Sequence, residues 1–208
     1  MIGIVDYNAG NIKSVSRALD FLSVPHIVSK NPSDLENVDR LIFPGVGEAS
    51  YAMKQLSLSG FDSFLKEWAL SGKPLLGICL GSQIIFDYSE EGDVQCLSLI
   101  RGKIRHFSVL WNEAQISSDL KIPQMGWNDV TYCNGGTKLC ATVEDKSDFY
   151  FVHSYVIQAD DSQIVKGYTN YGVKVPAIIE SGAITAFQFH PEKSGEKGLQ
   201  LLRNFVTL

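Results

Sequence analysis

Apolar and polar positions in the first half of the chain follow two alternating patterns. Unbroken apolar runs at residues 2–5 and 75–78 predict buried strands, and apolar residues three and four positions apart over 12–22 predict an amphipathic helix. Further strands are predicted at 26–29 and 41–43, and further helices at 49–56 and 61–70. Strands that are separated by helices pair in parallel through right-handed crossovers. This half of the chain is therefore predicted to form a parallel sheet covered by helices.

The pattern changes after residue 100, where glycines separate short runs rich in Val, Ile, Tyr and Phe. Such interrupted runs are typical of antiparallel or mixed strands joined by hairpins. Helical spacing returns over 195–205. We therefore expect an α/β fold with a central mixed, mostly parallel sheet, flanking helices and extra antiparallel strands. Since no change in composition marks a boundary, we expect a single domain over residues 1–208.

The composition narrows the class of protein. Of the 208 residues, 45% are hydrophobic and 20% are charged, which is typical of a soluble globular domain. The net charge of −5 argues against a nucleic-acid partner, and no apolar run reaches the roughly 18 residues of a membrane span. The first residues lack the positive charge of a signal peptide. Because the cysteines form no CxxC pair, we expect no metal site and a reducing, cytoplasmic location.

The most informative local motif is Gly77-Ile78-Cys79-Leu80-Gly81, where a predicted buried strand meets a predicted helix. It has the form of a nucleophile elbow with cysteine in place of serine. Small residues on both sides allow a tight turn that lifts the sulfur above the sheet edge, and a helix N-terminus favours the thiolate. The motif predicts a nucleophile at Cys79, and the alternative is a buried core cysteine.

A nucleophilic cysteine needs a base, and the base needs a group that orients it. His190 stands at the end of an apolar strand, and Glu192 follows two positions later across Pro191. The ends of strands in an open α/β sheet are where ligands bind. We therefore predict His190 as the base and Glu192 as its orienting group, with His153 as the competing base. The alternative is a strand-end histidine beside a surface glutamate.

Acyl transfer also needs N–H donors for the oxyanion that forms. The backbone N–H of Leu80, directly after the nucleophile, is one predicted donor. Residues 44–47 (PGVG) end an earlier strand, and their glycines let the backbone approach closely and change conformation. This segment predicts either a second source of donors or an ordinary glycine-rich turn.

Several further segments accompany these motifs in a fixed order: VDYNAGN at 5–11, MGWN at 125–128, YFVHSY at 150–155 and QFHPEKS at 188–194. Together with the elbow and PGVG, they make nearly the whole sequence resemble the class I, triad-type glutamine amidotransferases. Within that family the chain is most similar to the glutaminase subunits that serve histidine biosynthesis. The elbow and the HPE ending carry the resemblance to the family, and the PGVG, MGWN and YFVHSY segments carry the resemblance to these subunits.

The resemblance implies a flavodoxin-like class I glutamine amidotransferase fold and a role for each predicted site residue. Cys79 would be the nucleophile, His190 the general base and acid, and Glu192 the orienting group. The implied oxyanion hole consists of backbone from Gly45, Val46, Gly47 and Leu80. The implied glutamine site consists of Gln83, Glu91, Ser154 and Tyr155, with His153 as a framework residue. The implied partner interface includes Asn11, Trp127, Tyr150 and Lys193. No metal ion or organic cofactor is implied.

The resemblance also implies a reaction and a partner. The thiolate would attack the side-chain amide of glutamine, release ammonia and form a γ-glutamyl thioester that water hydrolyses. The ammonia would pass to a cyclase partner, HisF, which makes imidazole glycerol phosphate and aminoimidazole carboxamide ribotide.

Three alternatives remain open at this stage. Gln124 and Ser82 stand where the family commonly has His and Met, and they fit a paralogue that supplies ammonia for the amidation of surface-polysaccharide sugars. Another cysteine hydrolase of similar fold is a second alternative, although such enzymes lack the HPE ending. A non-catalytic protein that has kept the fold is the third.

Overall fold

The computed structural model of the chain describes residues 1–116 and 119–207. Within these ranges the strands form one nine-stranded mixed sheet and one four-stranded sheet. Over the same ranges, no helix has the length and apolar character needed to cross a membrane.

Parallel strands form one half of the large sheet, and helices connect them. The strands are β1 (Ile2–Val5), β2 (His26–Ser29), β3 (Arg40–Gly45), β4 (Leu75–Cys79) and β13 (Ile184–Phe187). Their order across the sheet is β2-β1-β3-β4-β13. The helices between them include α1 (Ile12–Phe21), α2 (Ala49–Ser59) and α3 (Phe61–Leu70). Every residue of β1 and β4 is buried, as parallel strands covered on both faces require.

Antiparallel strands extend the large sheet beyond β13. They are β8 (Gln124–Tyr132), β9 (Ser147–His153), β11 (Val165–Tyr171) and β12 (Val173–Ser181). They follow β13 in the order β12-β11-β8-β9, and each runs antiparallel to its neighbours. The mixed sheet and the extra antiparallel strands predicted from the sequence are therefore confirmed.

The smaller sheet is built from β5 (Tyr88–Ser89), β6 (Val94–Gln95), β7 (Gly102–His106) and β10 (Tyr155–Ala159), in the order β10-β7-β5-β6. Sequence pattern alone does not separate it from the large sheet, because β5 and β6 contain only two residues each. Helix α5 (Phe107–Glu113) follows β7, and the Ser108 N–H donates to the His106 ring at 3.3 Å. His106 is thus half-buried, ends β7 and caps α5.

Apolar packing joins the two sheets. One buried cluster includes Leu41 of the large sheet together with Ile104 and Ile157 of the small sheet. A second cluster includes Phe187 and Phe189 and is covered by α1 and by α6 (Gly195–Thr207).

The adjacent parallel strands β3, β4 and β13 determine where the site lies. Their carboxyl ends, at Gly45, Cys79 and Phe187, lie at the same edge of the sheet. In open α/β sheets this edge is the usual place for a ligand. The PGVG segment, the residues after Cys79 and the His190 loop all leave the sheet here.

Candidate active site

The turn that carries Cys79 joins β4 to the four-residue helix α4 (Leu80–Gln83). Cys79 has φ 54° and ψ −112°, a conformation that residues with a side chain rarely adopt. A Cβ atom on Gly81 would lie 2.0 Å from the Phe43 carbonyl oxygen, and one on Gly77 would lie 2.9 Å from the Gly81 oxygen. Glycine is therefore needed at Gly81 because the elbow packs directly against the backbone of β3, and at Gly77 because the turn brings the Gly81 backbone back against it.

The Cys79 side chain is almost completely buried, with 7% of its surface exposed. Its S–H group donates to the carbonyl oxygen of Val152 at 3.7 Å. The Ser82 hydroxyl donates to the Cys79 carbonyl at 2.6 Å and links the two ends of the turn. These contacts hold the sulfur between the elbow and strand β9.

His190 and Glu192 form a buried pair. The His190 Nδ1 and Glu192 Oε1 atoms are 2.8 Å apart, and each side chain is 1% exposed. Glu192 lies in a 3₁₀ turn, Pro191–Lys193, directly after the histidine. The backbone N–H of His190 donates to the Tyr150 carbonyl at 2.9 Å, and the Ser194 hydroxyl donates to the backbone carbonyl of His190 at 2.6 Å. The loop is thus fixed from both sides, and the carboxylate fixes the ring.

The electrostatic surroundings of His190 favour its protonated form. Burial by itself would lower the pKa of the imidazole, but the adjacent Cys79 and the Glu192 carboxylate outweigh burial and raise it to about 10. Apart from Cys79, no group of residues 1–116 or 119–207 is in hydrogen-bonding position at His190 Nε2. This nitrogen is therefore free to exchange a proton with the sulfur or with a ligand.

A cavity of about 160 Å³ opens beside the sulfur. It is much smaller than the roughly 300–1,000 Å³ of sites for drug-sized ligands, so it suits a ligand the size of an amino acid. Cys79 and His190 line it. The predicted glutamine-site residues Gln83, Glu91, Ser154 and Tyr155 and the predicted oxyanion residues Val46, Gly47 and Leu80 also line it.

Gly45 has a different position from the other predicted oxyanion residues. It is the last residue of β3, pairs in register with Cys79, and is not part of the cavity lining. A Cβ atom here would lie 2.6 Å from the Tyr7 hydroxyl and 2.7 Å from the Gly81 nitrogen. Gly45 thus lets β3 approach the elbow closely. Gly47, in contrast, has φ 95° and open space around it.

His153 is part of the framework of the cavity and is not available as a base. Its Nδ1 lies 2.7 Å from the Tyr155 carbonyl oxygen, and its Nε2 lies 3.1 Å from the Gln124 carboxamide. Burial lowers the pKa of its ring to about 4, so the imidazole is neutral at pH 7. Both ring nitrogens of His153 are thus occupied, whereas His190 keeps Nε2 free beside the Cys79 sulfur. Of the two candidate bases, His190 is therefore the one that can exchange a proton with the sulfur.

Glu91 and Gln83 contribute acceptor groups to the cavity. The Glu91 carboxylate accepts the Ala49 N–H at 3.0 Å, and burial raises the pKa of this carboxyl group. The Gln83 carboxamide is anchored through its nitrogen, which donates to the Tyr155 carbonyl at 3.0 Å.

The four predicted interface residues fall into two places. Trp127 is 58% exposed and meets the Tyr150 ring edge-on at 6.1 Å, while the Lys193 ammonium lies 5.8 Å from the centre of the Tyr150 ring. Asn11 instead lines a separate cleft of about 720 Å³ at the start of α1. Their role in an interface stays a prediction.

Sequence reasoning gave no role in the site to three buried polar residues near it. Gln188 bonds Gln83, Gln124 contacts His153, and the buried Tyr7 hydroxyl lies beside Gly45 without a hydrogen-bond partner among the described residues. The one available signal was a polar residue within an apolar run, as in Phe187-Gln188-Phe189. The described part of the chain holds no group of His, Cys, Asp or Glu arranged to bind a metal.

Comparisons with known proteins agree with this geometry. Residues 3–208 match the family model for class I glutamine amidotransferases. A protein from Nitratidesulfovibrio vulgaris named imidazole glycerol phosphate synthase subunit HisH is 43% identical over 207 residues, which covers 100% of this chain and 96% of that protein. Proteins of the same name from Halalkalibacterium halodurans and Chlorobaculum tepidum are 44% and 43% identical, with at least 96% of each chain covered.

Solved structures support the same fold. A crystal structure described as a glutamine amidotransferase superposes with a TM-score of 0.73 at 18% identity, covering 98% of this chain and 96% of that one. A structure of PurLQS from Thermotoga maritima also gives 0.73, at 19% identity, and again covers 98% of this chain and 96% of that one. The predicted fold class is confirmed, and the chain belongs to the class I glutamine amidotransferase family and, within it, to the HisH subunits.

Proposed function

We propose that this chain is the glutaminase subunit of an imidazole glycerol phosphate synthase. It would hydrolyse glutamine to glutamate and ammonia at Cys79 and pass the ammonia to a cyclase partner, HisF. The observation that carries the proposal is a strained cysteine turn adjacent to a buried imidazole–carboxylate pair, with an amino-acid-sized cavity beside the sulfur and the imidazole. The name shared by relatives 41–44% identical over the whole chain supports the pathway.

The first half of the reaction makes the thioester. The Cys79 thiolate attacks the carboxamide carbon of bound glutamine, and the backbone N–H groups of Leu80 and of the Val46–Gly47 segment stabilise the resulting oxyanion. His190 then transfers its Nε2 proton to the departing nitrogen, which leaves as ammonia. Glu192 stabilises the imidazolium that gives this proton. The product at this stage is a γ-glutamyl thioester on Cys79.

The second half regenerates the enzyme. His190, now neutral, takes a proton from a water molecule that attacks the thioester carbonyl, and the same oxyanion donors act again. Collapse of the second tetrahedral intermediate expels the Cys79 thiolate and releases glutamate. No step requires a metal ion or an organic cofactor. Since the mechanism needs a reduced thiol and all four cysteines are free, we also propose a cytoplasmic location.

The partner assignment rests on the surface near the site. Exposed Trp127, with the Tyr150 ring beside it, offers the aromatic side chains that are enriched in protein interfaces, and the Lys193 ammonium lies 5.8 Å from the centre of the Tyr150 ring. We propose that this surface, with Asn11, contacts the cyclase. We also propose that residues 1–208 act as a single domain, because one apolar cluster includes side chains of both sheets.

Ammonia release from glutamine tests the catalytic assignment directly. We expect Cys79→Ala to lower kcat by at least about a thousandfold, while Cys133→Ala, which removes a half-buried thiol outside the cavity, leaves kcat unchanged. Both variants should keep the melting temperature of the wild type within a few degrees. Residual turnover of a few per cent in Cys79→Ala would refute the role of this residue.

The partner is tested by the same assay with the cyclase and its ribonucleotide ligand present. Strong stimulation of glutamine hydrolysis by the liganded cyclase would support the histidine pathway. Hydrolysis that does not respond to the cyclase would instead indicate the paralogue that serves the amidation of surface sugars, with the catalytic residues unchanged.

A further inference from the structure

A buried chain of hydrogen bonds runs behind the cavity, from Gln124 on β8 to Gln188 after β13. We propose that Gln124, His153 and Gln188 are positioning residues, which fix the Gln83 carboxamide so that it presents its carbonyl oxygen to an N–H donor of glutamine. The inference rests on the proposed function, because it assumes that the cavity binds glutamine.

The orientation of Gln83 follows from its partners. Its Nε2 atom donates to the Tyr155 backbone carbonyl at 3.0 Å and to Gln188 Oε1 at 2.8 Å. A backbone carbonyl only accepts hydrogen bonds, so the nitrogen end of Gln83 must face Tyr155. Both amide hydrogens are then used, and the carbonyl oxygen is the group that Gln83 can offer to the cavity.

Gln188 supports this orientation at a cost to stability. Its side chain is completely buried, its Oε1 accepts from Gln83, and its own Nε2 has no hydrogen-bond partner among the described residues. An unpaired buried amide destabilises a fold, whereas an apolar side chain of similar volume at this position would not. The contribution of the Gln188 carboxamide is therefore the hydrogen-bond acceptor that it provides for Gln83.

The Tyr155 carbonyl is held from its other side by His153. His153 Nδ1 lies 2.7 Å from this oxygen and must carry the ring proton to donate to it. Because burial keeps the ring neutral, Nε2 is a bare acceptor. The Gln124 Oε1 atom lies 3.1 Å from this nitrogen, and the Gln124 Nε2 atom has no hydrogen-bond partner among the described residues. Because two acceptors cannot bond each other, we assign the carboxamide the reverse orientation, with its NH₂ group toward the ring.

Two N–H groups thus converge on one carbonyl oxygen, whose residue lines the cavity. The chain Gln124–His153–Tyr155–Gln83–Gln188 leaves no freedom for the Gln83 amide to rotate by half a turn. Such a rotation would present an NH₂ group to the cavity, where it would face the N–H donors of glutamine. Loss of either end of the chain should therefore weaken glutamine binding without disturbing the sulfur.

The experiment compares paired substitutions at the two ends of the chain, in the complex with the cyclase. Gln188→Leu removes the acceptor, whereas Gln188→Glu keeps a carbonyl oxygen. Gln124→Leu removes the donor, whereas Gln124→His keeps one. We expect each Leu variant to raise the KM for glutamine by about three- to tenfold, the size of one lost neutral hydrogen bond, with kcat within about twofold. The paired conservative variants should return KM to within about twofold of the wild type.

Two controls separate positioning from general damage. Thr169→Val alters a buried residue on β11 outside the cavity lining and should leave KM unchanged. Alkylation of Cys79 by iodoacetamide, which needs the thiolate but no glutamine site, should keep its wild-type rate in every variant.

The outcomes are distinct for the inference and for the proposed function. A wild-type KM in both Leu variants, or a KM in Gln188→Glu as high as in Gln188→Leu, would overturn the inference. If Gln188→Leu does not fold, the Gln124 pair and Gln188→Glu decide it by the same criteria. Failure of the proposed function would instead appear in the wild type itself, as alkylation of Cys79 without any hydrolysis of glutamine.

Discussion

Replacement of Gly81 by alanine should disable the elbow by steric collision alone. The added Cβ atom would lie 2.0 Å from the carbonyl oxygen of Phe43 in β3, where ordinary contacts begin at 3.4 Å. The elbow and β3 must therefore separate by about 1.4 Å, which is the difference between these two distances. The carbonyl oxygen that the Cβ atom would meet belongs to the backbone of a central strand that is paired on both sides, so it cannot rotate away.

The expected size of the effect follows from this displacement. Overpacking of side chains costs about 1–3 kcal/mol, and a collision between backbone segments should reach the upper end of that range or exceed it. A displacement of about 1 Å in a catalytic group lowers the rate by about a hundredfold. We therefore expect Gly81→Ala to lose about 3 kcal/mol or more of unfolding free energy and at least about a hundredfold in kcat/KM.

Gly182→Ala provides the matched control. Gly182 has φ 58°, and a Cβ atom there meets nothing within 4 Å, so only the left-handed backbone penalises the alanine. That strain costs about 1–2 kcal/mol and should leave kcat/KM unchanged. Urea denaturation and glutaminase assays on both variants make the comparison. The steric reasoning would be wrong if Gly81→Ala kept kcat/KM within about tenfold of wild type, or lost no more stability than Gly182→Ala.

Further predictions concern the charges and the buried polar groups. Glu192→Gln removes a carboxylate that raises the pKa of His190, so kcat should fall by about a hundredfold or more; a loss under tenfold in steady-state assays would argue against the orienting role. The pKa of His153 is about 4 in the folded protein and 6.5 when the side chain is solvated, as in the unfolded chain. Acidification therefore protonates the unfolded chain first, and the free energy of unfolding decreases as the pH falls from 6.5 to 4. Between pH 7 and pH 5 the wild type should lose about 2 kcal/mol of unfolding free energy, and urea titrations should give a smaller loss for His153→Gln. An equal loss in the two proteins would contradict this role of His153. Thr169→Val replaces a buried hydroxyl without a partner among the described residues by an isosteric methyl and should raise the unfolding free energy by about 1 kcal/mol, an expectation that a lower melting temperature would contradict.

Local sequence pattern predicted most of the parallel half of the fold. Apolar runs such as Ile2–Val5 form strands buried on both faces because they contain no position that could face water. The same applies to the elbow, since Gly77 and Gly81 are required by contacts within a few residues of the turn and with the neighbouring strand. His190 and Glu192 could be predicted together because they are two positions apart and one short loop holds both.

The smaller sheet and the framework of the cavity could not be predicted in this way. Strands of two residues carry too little periodicity to be recognised, and their pairing partners include residues more distant along the chain. Gln83 and Gln188 are 105 positions apart, and Gln124 and His153 are 29 apart. Hydrogen bonds over such separations leave no local pattern, since each residue alone is only a polar side chain in the sequence.

The parallel core, the nucleophile turn and the His190–Glu192 pair could thus be inferred from residue order, because neighbouring residues make the contacts that define them. Tertiary packing was needed to establish that His153 is a neutral framework residue and that Gly45 packs against the elbow outside the cavity lining. Both outcomes depend on burial by segments remote in sequence. Burial sets the charge state of an imidazole and the space around a glycine, and it exists only once the sheets have packed.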